Sequence, residues 1–293
     1  MCFSLGSLVE IGTQVGQKGW LKTNLVKGDL TSPFTIEFNL TESIQKLSFQ
    51  EAGDYTAKII ASKYNNLHLC LSGGLDSEYV AKVLVRNKIP FTPVILLTQH
   101  NSLEAWYAYK FCHDNAVTPT VLDVRSINEN FSLVKSLLSK SAKLQVPPHP
   151  SLVSNVIAEM LPDDAHLITG FGESIDNSKE FNNVVGNIAI INDWDFYFEL
   201  EYRDQHPGAF LTYTPEIFYA QNFEINENNN SQLAKAEMYT LLPRPKFWYN
   251  PLYFDIPDIN ILYKNLSKRF YKPDEVRFWA ILRKELLKKL VDY

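Results

Sequence analysis

Leu67-His-Leu-Cys-Leu-Ser-Gly-Gly-Leu-Asp-Ser77 is the stretch whose reading settles the architecture. Its first five residues form an apolar run too short for a helix and bounded by turn residues, which predicts a strand buried on both faces. Ser72-Gly-Gly74 ends that strand. Beyond it Tyr79, Val80, Val83 and Leu84 recur at helical spacing, and the pattern closes between Asn87 and Pro90.

The same alternation continues outward. Upstream, Ser48-Phe-Gln-Glu51 reads as a capping box that opens a helix through Tyr55, Ile59, Ile60 and Tyr64. Downstream, Phe91–Leu97 reads as a second buried strand and Ser102–Asn115 as a helix. Pro119–Val124 is a third strand, with a helix around Ser132–Ser139. Residues 151–161 read as helical, and His166-Leu-Ile-Thr169 as a fourth strand ending at Gly170-Phe-Gly172. Strands alternating with helices at this spacing predict βαβ units and a doubly wound parallel sheet of α/β class. Ligands of such sheets bind beyond the carboxyl ends of the strands. Both glycine clusters fall there.

The flanks differ in character. Residues 1–48 are turn-rich, with short apolar pieces at Ser7–Ile11 and Phe34–Phe38, and read as a small β-rich N-terminal segment. After about 180 the alternation stops. Val184–Ile191 and Phe196–Tyr202 read as strands, Asn226–Asn230 as a polar loop, and the chain from Ile261 as a helical tail. The expected division is therefore 1–48, 49–180 for the α/β domain, and 181–293 for an aromatic, α-rich C-terminal extension.

Composition narrows the classes. Of 293 residues, 45% are hydrophobic and 21% charged, which excludes wholesale disorder. The net charge of −5 disfavours a protein devoted to neutralising duplex phosphates. Cys2, Cys70 and Cys112 form no CxxC pair, so neither a disulfide framework nor a thiolate zinc site is expected. No run approaches the ~18 consecutive apolar residues of a membrane span. The first ten residues lack a basic leader and a long apolar core, so the expectation is a cytoplasmic protein with no membrane contact.

The chemistry concentrates in Ser72-Gly-Gly-Leu-Asp-Ser77. A glycine loop between a strand and a helix N-terminus offers backbone N–H groups to an anion, and two serine hydroxyls add donors. Asp76 would repel a bare phosphate. It makes sense beside a phosphate that arrives with Mg²⁺, a cation that takes carboxylate oxygen.

This hexapeptide matches the SGGxDS signature of the N-type ATP pyrophosphatases, the PP-loop superfamily, and the chain most resembles the synthetase domain of asparagine and β-lactam synthetases. The resemblance is carried by 66–98 and, less strongly, by Leu167-Ile-Thr-Gly-Phe-Gly-Glu173 over 164–176. It implies that ATP is split between its α- and β-phosphates, that a carboxylate or amide oxygen is adenylated, and that an amine or ammonia displaces AMP. It implies nucleotide contacts at Leu71, Ser72, Gly73, Gly74, Leu75, Asp76, Ser77, Leu97, Thr169 and Gly170, with Mg²⁺ on Asp76 directly or through water. By the same resemblance Lys235, then Arg244 and Lys246, reach the phosphates from the C-terminal extension. Asp76 and Glu173 complete the catalytic set.

Departures from the family pattern are informative. The 66 residues ahead of Leu67 are too few for the family's glutaminase domain, so Cys2 reads as an incidental thiol and the nitrogen source as external. The second glycine segment lacks the family's acidic pattern, with carboxylates absent or displaced to Glu173 and Asp176. Asp123, Arg125, Glu216 and His100 are further polar residues near strand ends or loops, each equally at home as an ordinary loop residue. The basic tail, from Lys264 to Lys289, reads as a solvated amphipathic helix, or alternatively as a contact for RNA. A base- or RNA-modifying PP-loop enzyme, a nucleotide-binding protein that has lost catalysis, and an α/β-hydrolase built on Cys70-Leu-Ser-Gly-Gly74 are the alternatives. A homodimer is among the assemblies this reading allows.

Overall fold

The computed structural model describes residues 9–10, 20–23, 35–40, 44–98, 101–126, 129, 132–133, 135–137, 139–140, 152–171, 186–191, 205–228 and 232–243. Helix α1, Phe49–Lys63, begins at the expected capping box. The Ser48 backbone N–H donates to Glu51 Oε2 at 3.0 Å, and the Glu51 N–H donates back to Ser48 Oγ at 3.4 Å. Such a box is worth about 1 kcal/mol of helix stability. One face of α1, comprising Phe49, Ala52, Thr56, Ala57 and Ile60, is buried.

Strands β4 (Leu67–Cys70), β5 (Thr92–Leu97), β6 (Thr120–Asp123), β7 (His166–Thr169) and β9 (Gly208–Ala209) form one sheet in the order β6-β5-β4-β7-β9. Every pairing is parallel. Strand β4 is central, which is why Leu67, His68 and Leu69 are all buried rather than alternately exposed. Helices α2 (Leu75–Arg86) and α3 (Ser102–Asp114) follow β4 and β5, and with α1 they cover one face, where Leu69, Ile95 and Ile168 meet Tyr79, Val80, Leu84 and Phe111. Helix α4 (Leu152–Met160) covers the other face, packing Ile157 against Val94 and Leu167. Successive strand residues thus serve opposite cores, as a two-residue period requires.

The connections β4→β5→β6 advance across the sheet in one direction, and the next strand, β7, returns to the far side of β4. The switch point therefore lies between β4 and β7, where doubly wound sheets open a crevice for ligands. The fifth strand, β9, is one that sequence periodicity misses, because two residues carry no pattern.

A second sheet is antiparallel, with β1 (Val9–Glu10), β2 (Leu21–Thr23), β3 (Thr35–Leu40) and β8 (Gly186–Ile191) in sequence order across it. Strand β8 pairs with β3 along six residues. Both sheets thus draw a strand from beyond residue 180. Phe38 stacks on Phe218 with ring centroids 4.2 Å apart, and Trp20 tilts against both at 5.8 Å. Phe218 belongs to α5 (Pro215–Asn228), which is followed by α6 (Gln232–Met238). The expected loop at Asn226–Asn230 is corrected in part: α5 continues through Asn228. Burial of Ile217, Phe218, Ala220, Gln221 and Asn222 outweighs the poor helix propensity of asparagine. The expected strand at Phe196–Tyr202 and the tail from Ile261 lie outside the described residues. No described helix is long and apolar enough to cross a membrane.

Candidate active site

The Leu71 N–H still donates to Val94 O at 2.9 Å, and the backbone then turns out of the sheet. Gly73 takes φ +87°, and a Cβ there would stand 1.9 Å from the Glu104 carbonyl oxygen. Only glycine fits on both counts. Gly74 is the N-cap of α2 and supplies no side-chain cap, so the first amides of a twelve-residue helix face outward with the dipole behind them. Ser72 Oγ lies 3.1 Å from Ser77 Oγ, the Gly74 N–H donates to Ser72 Oγ at 3.3 Å, and Ser77 Oγ donates to Gly74 O at 3.1 Å. The two hydroxyls are thereby held together over the helix mouth.

The end of β7 closes the other side. A Cβ on Gly170 would come within 2.4 Å of Ser77 Cα and 2.5 Å of Ser77 N, so this second glycine is required by contact with the start of α2. Between the two strand ends opens a cavity of about 390 Å³. It is lined by Cys70, Leu71, Ser72, Gly74, Asp76 and Ser77 from the first segment, by Thr169, Gly170 and Phe171 from the second, and by Val94, Leu96, Asn101, Glu104 and three residues of α4. Apolar walls with polar groups converging at one end describe a small-molecule site.

Asp76 is the anchor of the polar end. Lys235 Nζ approaches Asp76 Oδ1 to 3.5 Å, and Tyr239 Oη donates to the same oxygen at 2.5 Å. Lys235 is 5% exposed and Tyr239 fully buried, so α6 delivers both from the interior. The Tyr239 N–H still bonds to Lys235 O at 2.9 Å, one turn back, which puts the two side chains on one face. Helix α6 is fastened from two sides, Gln50 Nε2 donating to Met238 O and Lys82 Nζ to Thr240 O.

The expected site residues sort as follows. Leu71, Ser72, Gly74, Asp76, Ser77, Thr169 and Gly170 line the cavity. Gly73 shapes the turn, and Leu75 is 4% exposed within the core beneath it. Leu97 packs against the core on the α1–α3 face, and Val94 and Leu96, three residues and one residue earlier, line the cavity. The two-residue period turns every odd displacement along the strand to the other side. Asp123 and Arg125 pair with each other at 2.5 Å at the end of edge strand β6, away from the cavity lining, and the guanidinium holds the Asp123 carboxyl below its ordinary range. Glu216 is buried in the first turn of α5 and does not line the cavity. Glu173, Arg244, Lys246, Cys2, His100, Asp176 and the basic tail lie outside the described residues.

Glu104, Asn101 and Tyr239 are contributors that sequence reasoning missed. Asn101 Oδ1 accepts from the Thr98 N–H at 2.8 Å and its Nδ2 donates to Leu96 O at 2.7 Å, tying the end of β5 to the start of α3. Glu104 lines the cavity from the first turn of α3, and burial pushes its carboxyl up to about 7. No periodicity marks it, since an acidic residue in a first helical turn is an ordinary dipole partner. Tyr239 carried a readable signal, its spacing of four from Lys235.

The raised Glu104 pKa predicts a pH effect. Its folded value lies above the 4.5 of an ordinary glutamate, so the stability it contributes is complete below about 4.5 and lost as pH rises through about 7. Glu104→Gln is expected to flatten the decline in unfolding free energy between about pH 5 and pH 8, measured by denaturant titration. An unchanged slope would show that Glu104 is not the group responsible.

No family model matches the chain, and no curated protein matches it. Solved structures do align. The NH3-dependent NAD synthetase from Campylobacter jejuni subsp. jejuni NCTC 11168 in complex with the nitrate ion aligns over 83% of this chain and 95% of its own, at 17% identity and TM-score 0.35. The NMN synthetase from Francisella tularensis aligns over 69% of this chain and all of its own, at 15% identity and TM-score 0.32. The glutamine-dependent NAD+ synthetase from Acinetobacter baumannii in complex with ADP aligns over 85% of this chain, which spans 45% of that longer protein, at 15% identity and TM-score 0.34. Likeness of this degree carries no argument about activity, and the functional reading rests on the site itself.

Proposed function

We propose that the chain is an ATP-dependent, AMP- and pyrophosphate-forming ligase of the PP-loop type, which adenylates a carboxylate or amide oxygen and lets an amine or ammonia displace AMP. The observation that carries this reading is the meeting, in the lining of the switch-point cavity, of an uncapped helix N-terminus, the Ser72 and Ser77 hydroxyls and Asp76, with Lys235 against Asp76 from outside that lining. The donors suit the pyrophosphate part of a nucleotide. The apolar walls, including Leu71, Val94 and Leu96, suit a purine face.

The donor set also fits magnesium. Both protein contacts of Asp76 fall on Oδ1, and among the described residues Oδ2 accepts no hydrogen bond. Asp76 would hold the ion through Oδ2, and the ion would neutralise phosphate charge. The chain's own part is electrostatic. Helix amides and hydroxyls would grip the leaving pyrophosphate, and Lys235, held nearly dry against Asp76 and outside the cavity lining, would add positive charge behind them. Glu104, with a carboxyl that titrates near neutrality, is suited to take a proton from the nitrogen nucleophile.

The test uses ATP labelled at the α-phosphate, incubated with the protein, magnesium and a pool of carboxylates with ammonium. The expected products are labelled AMP and unlabelled pyrophosphate. Formation of ADP, or binding of ATP with no turnover in any pool, would overturn the ligase reading.

A further inference from the structure

We propose that Tyr239 is a positioning residue for Asp76, committing Oδ1 to the protein so that Oδ2 is presented to the metal–nucleotide. The proposal rests on the ligase reading above and names a residue which that reading does not require. Its basis is a chain of directed hydrogen bonds. Gln221 Nε2 donates to Tyr239 Oη at 3.2 Å, so the phenol's own proton points the other way, to Asp76 Oδ1 at 2.5 Å. The ring is fully buried in a three-ring cluster, 4.7 Å from Tyr79 and 5.4 Å from Phe49 between centroids, with Phe49 and Tyr79 themselves 4.6 Å apart, which confines it. A carboxylate oxygen can only accept, so the phenol is the donor in that bond.

Asp76 sits in the first turn of a helix and is nearly one-third exposed, so without a tether its carboxylate would turn among several rotamers. Lys235 supplies charge but little direction, as a compact ammonium at 3.5 Å. The phenol supplies direction. A metal ligand held in one orientation binds without first losing rotational freedom, which is the gain that preorganisation brings.

Tyr239→Phe keeps the stacked ring and removes only the hydroxyl. Manganese binding is read by its paramagnetic resonance signal in the presence of a nucleotide that cannot be cleaved between its α- and β-phosphates. The variant should bind manganese–nucleotide about tenfold more weakly, the worth of one hydrogen bond to a charged acceptor. Tyr79→Phe is the matched control. Its hydroxyl donates to Phe49 O at 3.1 Å and the variant keeps its ring, so it should lower the melting midpoint and leave manganese affinity unchanged. Should Tyr239→Phe fail to fold, Gln221→Met removes the amide that sets the direction of the phenol and should weaken binding in the same sense by a smaller factor. Wild-type affinity in the Tyr239→Phe or Gln221→Met protein, or an equal loss in Tyr79→Phe, overturns the assignment of Tyr239 alone. Absence of manganese–nucleotide binding by the wild-type protein overturns the ligase reading and this inference with it.

Discussion

Gly73→Ala is expected to cost at least about 3 kcal/mol of stability and to abolish nucleotide binding. Two penalties coincide at this residue. An alanine at φ +87° pays left-handed strain, and its Cβ would lie 1.9 Å from the carbonyl oxygen of Glu104. That oxygen belongs to backbone inside α3 and cannot rotate away, so either α3 shifts or the turn opens. Both outcomes separate Ser72 from Ser77 and tilt the amides at the start of α2. Denaturant titration together with calorimetry of ATP binding measures the two effects. Gly74→Ala is the comparison, because a Cβ there meets only Ser72 Oγ, at 3.4 Å, and its φ is ordinary. A Gly73→Ala protein as stable as the wild type would mean that the turn is not built as described.

The second large effect belongs to Asp76→Asn. Replacement of the carboxylate leaves an amide that still accepts from Tyr239, yet it strips Lys235 of the only acidic partner it has among the described residues. A lysine 5% exposed tolerates that poorly. Discounting for the partial exposure of Asp76, the stability loss should be roughly 1–3 kcal/mol. Release of AMP and pyrophosphate should fall by at least about a hundredfold, the scale of losing one preorganised electrostatic contact. The double variant Asp76→Asn/Lys235→Met separates the two consequences: stability should return towards wild type, while turnover stays lost. If the single variant turns over normally, Asp76 is not part of the reacting site.

Much of the α/β core was legible because its signals are local. A five-residue apolar run, a glycine turn and a helix of the right period each declare themselves within a dozen residues, and the predicted strands at β4, β5, β6 and β7 stand where expected. Facing was harder. Leu97 and Leu96 are chemically alike, and only the register against β4 and β6 decides which one meets the cavity. The C-terminal part was least legible. Helix α5 is held by aromatic contacts with a sheet whose strands lie far off in sequence, and its asparagines argue for a loop when read alone. Lys235 came into view only through the family resemblance, and the structure sets it against Asp76. The phenol four residues on shares its helix face by spacing alone, but its contact with Asp76 depends on Gln221, Phe49 and Tyr79, three residues brought together only by folding.

The exchange of strands across residue 180 has a bearing on how the chain is made. Until residues 186–191 emerge, β3 has an unpaired edge six residues long, and until 208–209 emerge, β7 has none of its outer neighbour. Neither layer can be sealed by the part synthesised first, so assembly waits on distant segments. A polypeptide stopped short at 180 would leave the edges of β3 and β7 without the partners they have here, the kind of surface on which copies of an unfinished protein cling to one another.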